Sequence, residues 1–456
     1  MYGVIQYQIR SQHELFGYCD NIIIDSKNLK NASLFRLRNH FTASYKDEKD
    51  LSDNEKEVEE EINIMLKSDK DTKIYKYLNS FTLEKLMRTN SNPDFFKEGF
   101  PKQSAVQIIR KTCTDFEDWF KSLQAFKENP SSFTSKPKMP KYCKNERSLA
   151  IITNQDAVIR NGYLKLPLTK TRLKVKSLPK GAKLKEVQIK PCSGFFELIV
   201  VYETDKEPSV CDGKFSMGID LGIDNLVAIV SNNPEMGSLL YKGKAIKSCN
   251  QYFNKEKARL TSILKKECNK SGADFTGTAK LNELSRYRES FITDYFHKIA
   301  SDIIKKCETY SISKIVIGHT KFWKQNVNIG KVNNQNFVSI PFNTLIWMIK
   351  YRAKEKGIEV ILQEESYTSK ASFLDKDEIP VYSKNDETKY TFSGERVKRG
   401  LYKSKEGVLL NADINGAGNT LRKYDKKSFD LIKDFSFVNN ITVFNFKDFY
   451  KTKKKA

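Results

Sequence analysis

The residues best suited to chemistry stand where apolar runs end. Met217-Gly218-Ile219-Asp220-Leu221-Gly222-Ile223-Asp224 places a carboxylate at the close of an apolar strand. Its flanking glycines let a ligand or another backbone approach closely, which suits a metal ion or a phosphate. Standing alone, the same segment could also be a turn aspartate capping its own loop. An Asp-x-Gly strand end also opens the actin-like and sugar-kinase ATPases, but those need a second glycine-rich phosphate loop, and the sequence holds none. A second acidic candidate lies in Leu409-Leu410-Asn411-Ala412-Asp413-Ile414-Asn415-Gly416-Ala417-Gly418-Asn419. In isolation Asp413 reads as a helix N-cap. The small residues Ala412, Gly416, Ala417 and Gly418 nevertheless let that helix press against a sheet, bringing Asp413 beside Asp220. Two carboxylates from distant segments could then share Mg²⁺, a hard cation that prefers oxygen ligands. Other metal-binding residue types are too dispersed: no two of the eight cysteines have CxxC spacing, and the four histidines stand at 13, 40, 297 and 319.

The elements that must position these residues follow from periodicity. Tyr2 to Arg10 alternates loosely as one strand, and Ser26 to Lys127 shows helical spacing. Val106, Ile109, Cys113, Phe116, Phe120 and Leu123 step by three and four behind Pro101, an amphipathic helix. Asp47 to Glu61 is an acidic, solvated loop or helix face. Pro130, Pro137 and Pro140 mark a linker carrying the basic run Lys136 to Tyr142. Strands follow at Arg172 to Lys176, Leu184 to Lys190 and Phe195 to Tyr202, the last two joined by a hairpin turn at Pro191-Cys192-Ser193-Gly194. From Phe215 the texture becomes α/β: strands Ser216 to Ile219 and Leu226 to Val230, helices Asn250 to Lys266 and Ala279 to Thr309, strand Lys314 to Gly318. A helix Pro341 to Lys356, a strand Glu359 to Gln363 and a helix Asp413 to Lys423 complete it. The expected organisation is a β-barrel from residues 1–12 and 137–210, a helical domain inserted at 13–136, and an α/β domain at 211–456.

Composition bounds the partners. An apolar fraction of 39% with 12% aromatics excludes disordered and fibrous classes, and 456 residues imply several domains. The formal net charge of +23 points to polyanions. No run of 18 apolar residues is present and the first residues lack a signal-peptide plan, so nucleic acid in the cytoplasm is expected rather than a membrane.

These residues together carry a family resemblance. The Asp220 and Asp413 segments, Tyr367-Thr368-Ser369, the proline-basic stretch before Ile151-Ile152-Thr153-Asn154-Gln155, Asn250-Gln251-Tyr252-Phe253 and Phe322-Trp323-Lys324-Gln325 resemble the TnpB (OrfB) family. Those proteins are RNA-guided DNA endonucleases of bacterial insertion sequences, relatives of type V CRISPR effectors and of Fanzors. The resemblance implies a RuvC nuclease of RNase H-like fold, with the barrel as a wedge-like domain and the helical insertion as a recognition domain. It implies a guide RNA and target double-stranded DNA as partners, a monomeric protein within a ribonucleoprotein, and two Mg²⁺ ions held by a first Asp, a Glu and a last Asp. Asp220 matches the first and Asp413 the last. One ion would generate the nucleophile from water while the other stabilises the leaving 3′ oxygen.

The sequence departs from that pattern twice. The family's Glu would end the strand Ile315-Val316-Ile317, where Gly318-His319 stands. Carboxylates occur instead at the end of the next strand, as Glu364 and Glu365, and Glu365, nearer the turn, is expected to be the relocated ligand. A lone pair of glutamates there would otherwise be a solvated turn, and loss of the Glu would leave a guide-directed repressor that does not cut. The second departure is the family's zinc finger: residues 370 to 412 contain no cysteine, so no zinc is expected. The basic and aromatic segment Thr391 to Lys403 stands in its place. Nucleic-acid contacts are expected from Lys138, Lys141, Arg172, Lys174, Gln251, Tyr252, Lys324, Arg396, Lys398 and Arg399. A type V CRISPR-like effector with a separately encoded guide is the alternative within the class.

Overall fold

A computed structural model of the chain describes residues 1–144, 148–205, 207–271, 278–319, 338–381 and 388–450. The chain divides into two compact units, Met1–Lys206 and Glu207–Ala456.

In the first unit, β1 (Tyr2–Ile9) is followed by α1 (Phe16–Ala43), α2 (Asp53–Ser68), α3 (Ser80–Thr89) and α4 (Lys102–Glu128), and then by β2 (Ala150–Thr153), β3 (Val158–Arg160), β4 (Tyr163–Lys165), β5 (Arg172–Lys174), β6 (Lys183–Cys192) and β7 (Phe195–Glu203). The amphipathic spacing behind Pro101 becomes α4, whose inward face includes Ile109, Cys113 and Phe116. The acidic stretch becomes a single 3₁₀ turn and the start of α2, where Ser52 and Glu55 form a reciprocal capping box. The β6–β7 hairpin turns through Ser193 and Gly194, and Gly194 adopts φ +81°, a left-handed conformation that glycine tolerates.

The expected barrel is replaced by two open sheets. One is antiparallel with order β1-β7-β6-β2, and β3, β4 and β5 form the other. Among the described residues β1 and β2 remain at opposite edges, unpaired to each other. The reason lies in what covers the sheet. Alternation gives each strand an apolar face without fixing what packs on it, and here α1 and α4 do so, sharing one core with the strands through Leu37, Ile109, Val187 and Leu198.

The second unit is built on a six-stranded sheet of order β12-β11-β8-β9-β10-β16. Its elements are β8 (Phe215–Leu221), β9 (Asn225–Ser231), β10 (Ser238–Lys242), α5 (Lys244–Ser271), α6 (Ala279–Thr309), β11 (Ile312–Gly318), α7 (Phe342–Glu355), β12 (Glu359–Gln363), β13 (Glu395–Lys398), β14 (Leu401–Lys403), β15 (Leu409–Asn411), α8 (Ala412–Tyr424) and β16 (Ile441–Phe444). Every residue of β9 is buried, because α6 and α7 cover one face of the sheet and α8 covers the other. The small residues of α8 serve the close approach expected of them: a Cβ on Gly218 of β8 would stand 2.2 Å from the Ala417 carbonyl oxygen. β13, β14 and β15 make a separate antiparallel sheet leading directly into α8. Strands β8, β11 and β12 run parallel, so their C-terminal ends share one edge. Ligands of open α/β sheets gather at such an edge. Among the described residues no helix is long and apolar enough to cross a membrane.

Candidate active site

Three carboxylates meet at that edge. Asp220 stands near the C-terminal end of β8, Glu365 lies two residues beyond β12, and Asp413 lies in the first turn of α8. Asp220 keeps some solvent access but sits in a recess. That burial, together with the like charges of Asp413 and Glu365, holds its carboxyl well above the usual carboxylate range, while Arg396 and the Leu221 N–H oppose the shift. Gly416 of α8 packs directly on Asp220, since a Cβ there would lie 3.1 Å from Asp220 Oδ2.

Asp413 is not the cap of its helix. Asn411 takes that role, its Oδ1 accepting from the backbone N–H groups of Asp413 and Ile414. The Asp413 carboxylate is thereby left to the sheet edge, where Asn225 Nδ2 donates to Oδ2 at 2.6 Å. Lys242 Nζ in turn donates to Asn225 Oδ1 at 2.7 Å, so the amide is fixed from behind. Asn225 and Lys242 escaped the sequence reading because nothing in their spacing ties them to Asp413.

The two adjacent glutamates separate cleanly. Glu364 accepts from Lys423 Nζ at 2.5 Å and from the Ser366 N–H at 2.6 Å, and the Lys423 side chain is only 3% exposed. Burial would raise the Glu364 carboxyl, but the Lys423 and Ser366 bonds outweigh it and bring it below the ordinary range. Glu365 turns to the sheet edge instead. Its Oε2 lies 3.1 Å from where a Cβ on Gly318 would stand, with Thr420 Oγ1 3.2 Å from the same point. A side chain at position 318 would therefore crowd Glu365. The loop that carries Glu365 is tied to α8 by its asparagines: Asn419 Nδ2 donates to the carbonyls of Thr368 and Ala371, and Asn415 Nδ2 donates to that of Ala371. Thr368 Oγ1 donates to the Glu365 carbonyl at 2.8 Å. His319 leads away, its Nε2 3.3 Å from Asn343 Oδ1 of α7.

Three facing carboxylates are an oxygen-donor set suited to a hard divalent cation. Among the described residues no three His, Cys, Asp or Glu side chains close into a ready-made metal cage. Basic groups border them. Arg396 of β13 acts on Asp220, and Arg399 pairs with Asp224 at 2.8 Å, as does Lys247 at 3.2 Å. Lys398 is exposed on β13, while Gln251 and Tyr252 are exposed on α5. Lys138, Lys141, Arg172 and Lys174 are exposed in the first unit. Lys324, with Phe322, Trp323 and Gln325, lies outside the described residues.

Residues 199–324 match the family described as OrfB_IS605, probable transposase, and residues 342–420 match the Cas12f1-like TNB domain. No curated protein matches the chain. Among solved structures, the chain is similar to Cas12f1 in a complex with sgRNA and target DNA, at 13% identity and TM-score 0.45, over 89% of this chain and 82% of that one. It is also similar to CasPhi-2 (Cas12j) bound to crRNA, at 9% identity and TM-score 0.39, over 94% and 98%. A third is C2c1 of Alicyclobacillus acidoterrestris with single-guide RNA, at 8% identity and TM-score 0.30, over 88% and 70%.

Proposed function

From the premise that the chain belongs to a TnpB-like (OrfB) family, we propose that it is an RNA-guided DNA endonuclease cutting with Asp220, Glu365 and Asp413. The observation that carries this reading is the meeting of those three carboxylates at one sheet edge, beside Arg396. Asp220, Glu365 and Asp413 would hold two Mg²⁺ ions. Such ions supply an activated water and charge stabilisation for the leaving oxygen in phosphodiester hydrolysis.

The chain's own groups do the rest. Asn225, held by Lys242, orients the Asp413 carboxylate. Lys423 holds Glu364 out of the way, so that one acid of the adjacent pair faces the edge. Arg396, Lys398 and Arg399 bring positive charge to the place where a DNA phosphate would lie, offsetting the repulsion a triad of acids exerts on a polyanion. The exposed basic residues of the first unit, Lys138, Lys141, Arg172 and Lys174, are assigned to the guide RNA and to the motif flanking the target. Within that unit the strands would act as the wedge and the helices as the recognition part. The guide would read sequence by pairing, while the protein reads the short motif.

The competing reading is a guide-directed repressor that binds without cutting. A matched plasmid separates the two. Addition of Mg²⁺ to the guide-loaded protein should cut the plasmid, and Asp220→Ala or Asp413→Ala should bind it without cutting. Binding without metal-dependent cutting by the unaltered protein would establish the repressor.

A further inference from the structure

A cleft between α5 and α6 is not used by the site described above. It has a volume of about 820 Å³ and is walled by Tyr252 on α5 and by Tyr287 and Phe291 on α6, with Phe446 at its end. Tyr252 and Tyr287 are each 55% exposed, although large aromatic side chains usually seek burial. Phe446 stacks on Phe291 with ring centroids 4.6 Å apart, so a pair of stacked rings closes that end.

Arg259 and Lys280 line the cleft beside Glu256 and Glu283, with Arg259 paired to Glu256 at 2.9 Å, so the positive charge comes from the helix that carries it. Between Lys244 and Lys266, α5 carries seven Lys or Arg and a single Glu. Ala245 and Phe446 also line a second hollow, bordered by Lys242, Lys244, Lys447 and Asp448. An aromatic slot on a basic helix suits a single-stranded nucleic acid, since bases stack on the rings while phosphates meet the cations along α5 and in the second hollow. A protein partner would more often be met by a wholly apolar patch with few charges at its centre.

Position selects the strand. α5 begins one residue after Gly243, whose N–H donates to the Asp224 carbonyl, and Lys247 pairs with the Asp224 carboxylate. Asp224 follows Asp220 by four residues. From Lys247 the helix rises roughly 7.5 Å to Tyr252, so this wall of the cleft stands within about two turns of the Asp224 contact. We propose that this cleft is a stacking site for unpaired bases of the single-stranded DNA presented to the carboxylates, with Tyr252 and Tyr287 as its two walls. The choice of DNA rests on the endonuclease reading.

The test uses the full chain in EDTA, without guide, and a short single-stranded oligodeoxynucleotide containing 2-aminopurine. The unaltered protein should quench the fluorescence. Replacing both tyrosines with alanine should abolish the quenching and weaken binding about tenfold or more, in line with the loss of stacked bases. Tyr252→Phe with Tyr287→Phe should retain both, since the ring rather than the hydroxyl does the stacking. Equal quenching by the alanine variant would overturn the site. So would an RNA oligonucleotide of the same sequence that binds as tightly with the same dependence on the tyrosines. A self-association abolished by the alanine variant, with DNA affinity unchanged, would assign the cleft to a second copy of the chain and overturn the proposal. Binding is read without cleavage. A protein that quenched but never cut would therefore refute the endonuclease and leave the slot, whereas intact cutting with indifferent tyrosines would refute the slot alone.

Discussion

Glu364 and Glu365 are adjacent and chemically identical, yet their surroundings give them opposite tasks. Lys423 and Ser366 occupy Glu364, whereas Glu365 shares the edge with Asp220. Glu365→Gln should therefore lower cleavage at least about a hundredfold, as expected when a ligand of the charge-stabilising metal ions is lost. Glu364→Gln should leave the cleavage rate near normal and lower thermal stability, because it leaves the buried Lys423 without its counter-charge. Single-turnover assays and melting curves on both variants check the assignment. Asn225→Ala should raise the Mg²⁺ concentration needed for half-maximal cutting about 10–100-fold, the usual effect of removing a group that orients a metal ligand. Asp220 adds a pH dependence. Its carboxyl is raised by burial and by its acidic neighbours, so the charged, metal-holding form gains population as pH rises, and the Mg²⁺ requirement should fall with it. The same raised value means that the ionised group opposes folding above the unfolded carboxylate range. Asp220→Asn should accordingly melt at a higher temperature than the unaltered protein in EDTA while failing to cut.

At the scale of elements, the close seat of α8 on the sheet sets the geometry of the site. Gly218→Ala would drive a Cβ into the Ala417 carbonyl and should cost about 1–3 kcal/mol, measured by denaturant unfolding, with cleavage weakened because Asp413 is displaced. This seat was legible in the sequence, since the small residues 412 and 416–418 have a strand-end aspartate as their natural neighbour. Four of the six α/β strands, β8, β9, β11 and β12, were legible too, because buried strands read as continuous apolar runs, whereas β10 and the edge strand β16 were not foreseen. The barrel was not, because alternation reveals a strand's inward face but not which strand lies beside it or whether helices cover it. β13 and β14 were foreseen only as a hairpin-like segment, since short exposed strands lack an apolar pattern. His40 illustrates a second invisible feature. Its Nδ1 meets Glu59 Oε1 at 2.7 Å and its Nε2 meets the Tyr75 carbonyl at 2.8 Å. Burial pulls its pKa down, but those two acceptors outweigh it and raise the pKa above 6.5. The stabilisation is present below the unfolded value and lost as pH rises through the folded one. Melting temperature should thus fall on moving from mildly acidic to alkaline buffer, and His40→Gln should flatten that dependence.

At the scale of the whole molecule, a net charge of +23 favours binding to a polyanion. Affinity for DNA should fall with salt at a log–log slope of about −0.9 for each duplex phosphate contacted. Such attraction is indifferent to sequence, so specificity has to come from elsewhere, and the proposed guide supplies it. The most direct measurement programs the purified protein with the RNA that co-purifies with it, then offers supercoiled plasmids with and without the sequence that RNA can pair with. The account expects Mg²⁺-dependent cutting of the matched plasmid alone, lost with Asp413→Ala while the RNA stays bound. Equal cutting of both plasmids, cutting by protein stripped of RNA, or undiminished cutting by Asp413→Ala would contradict it.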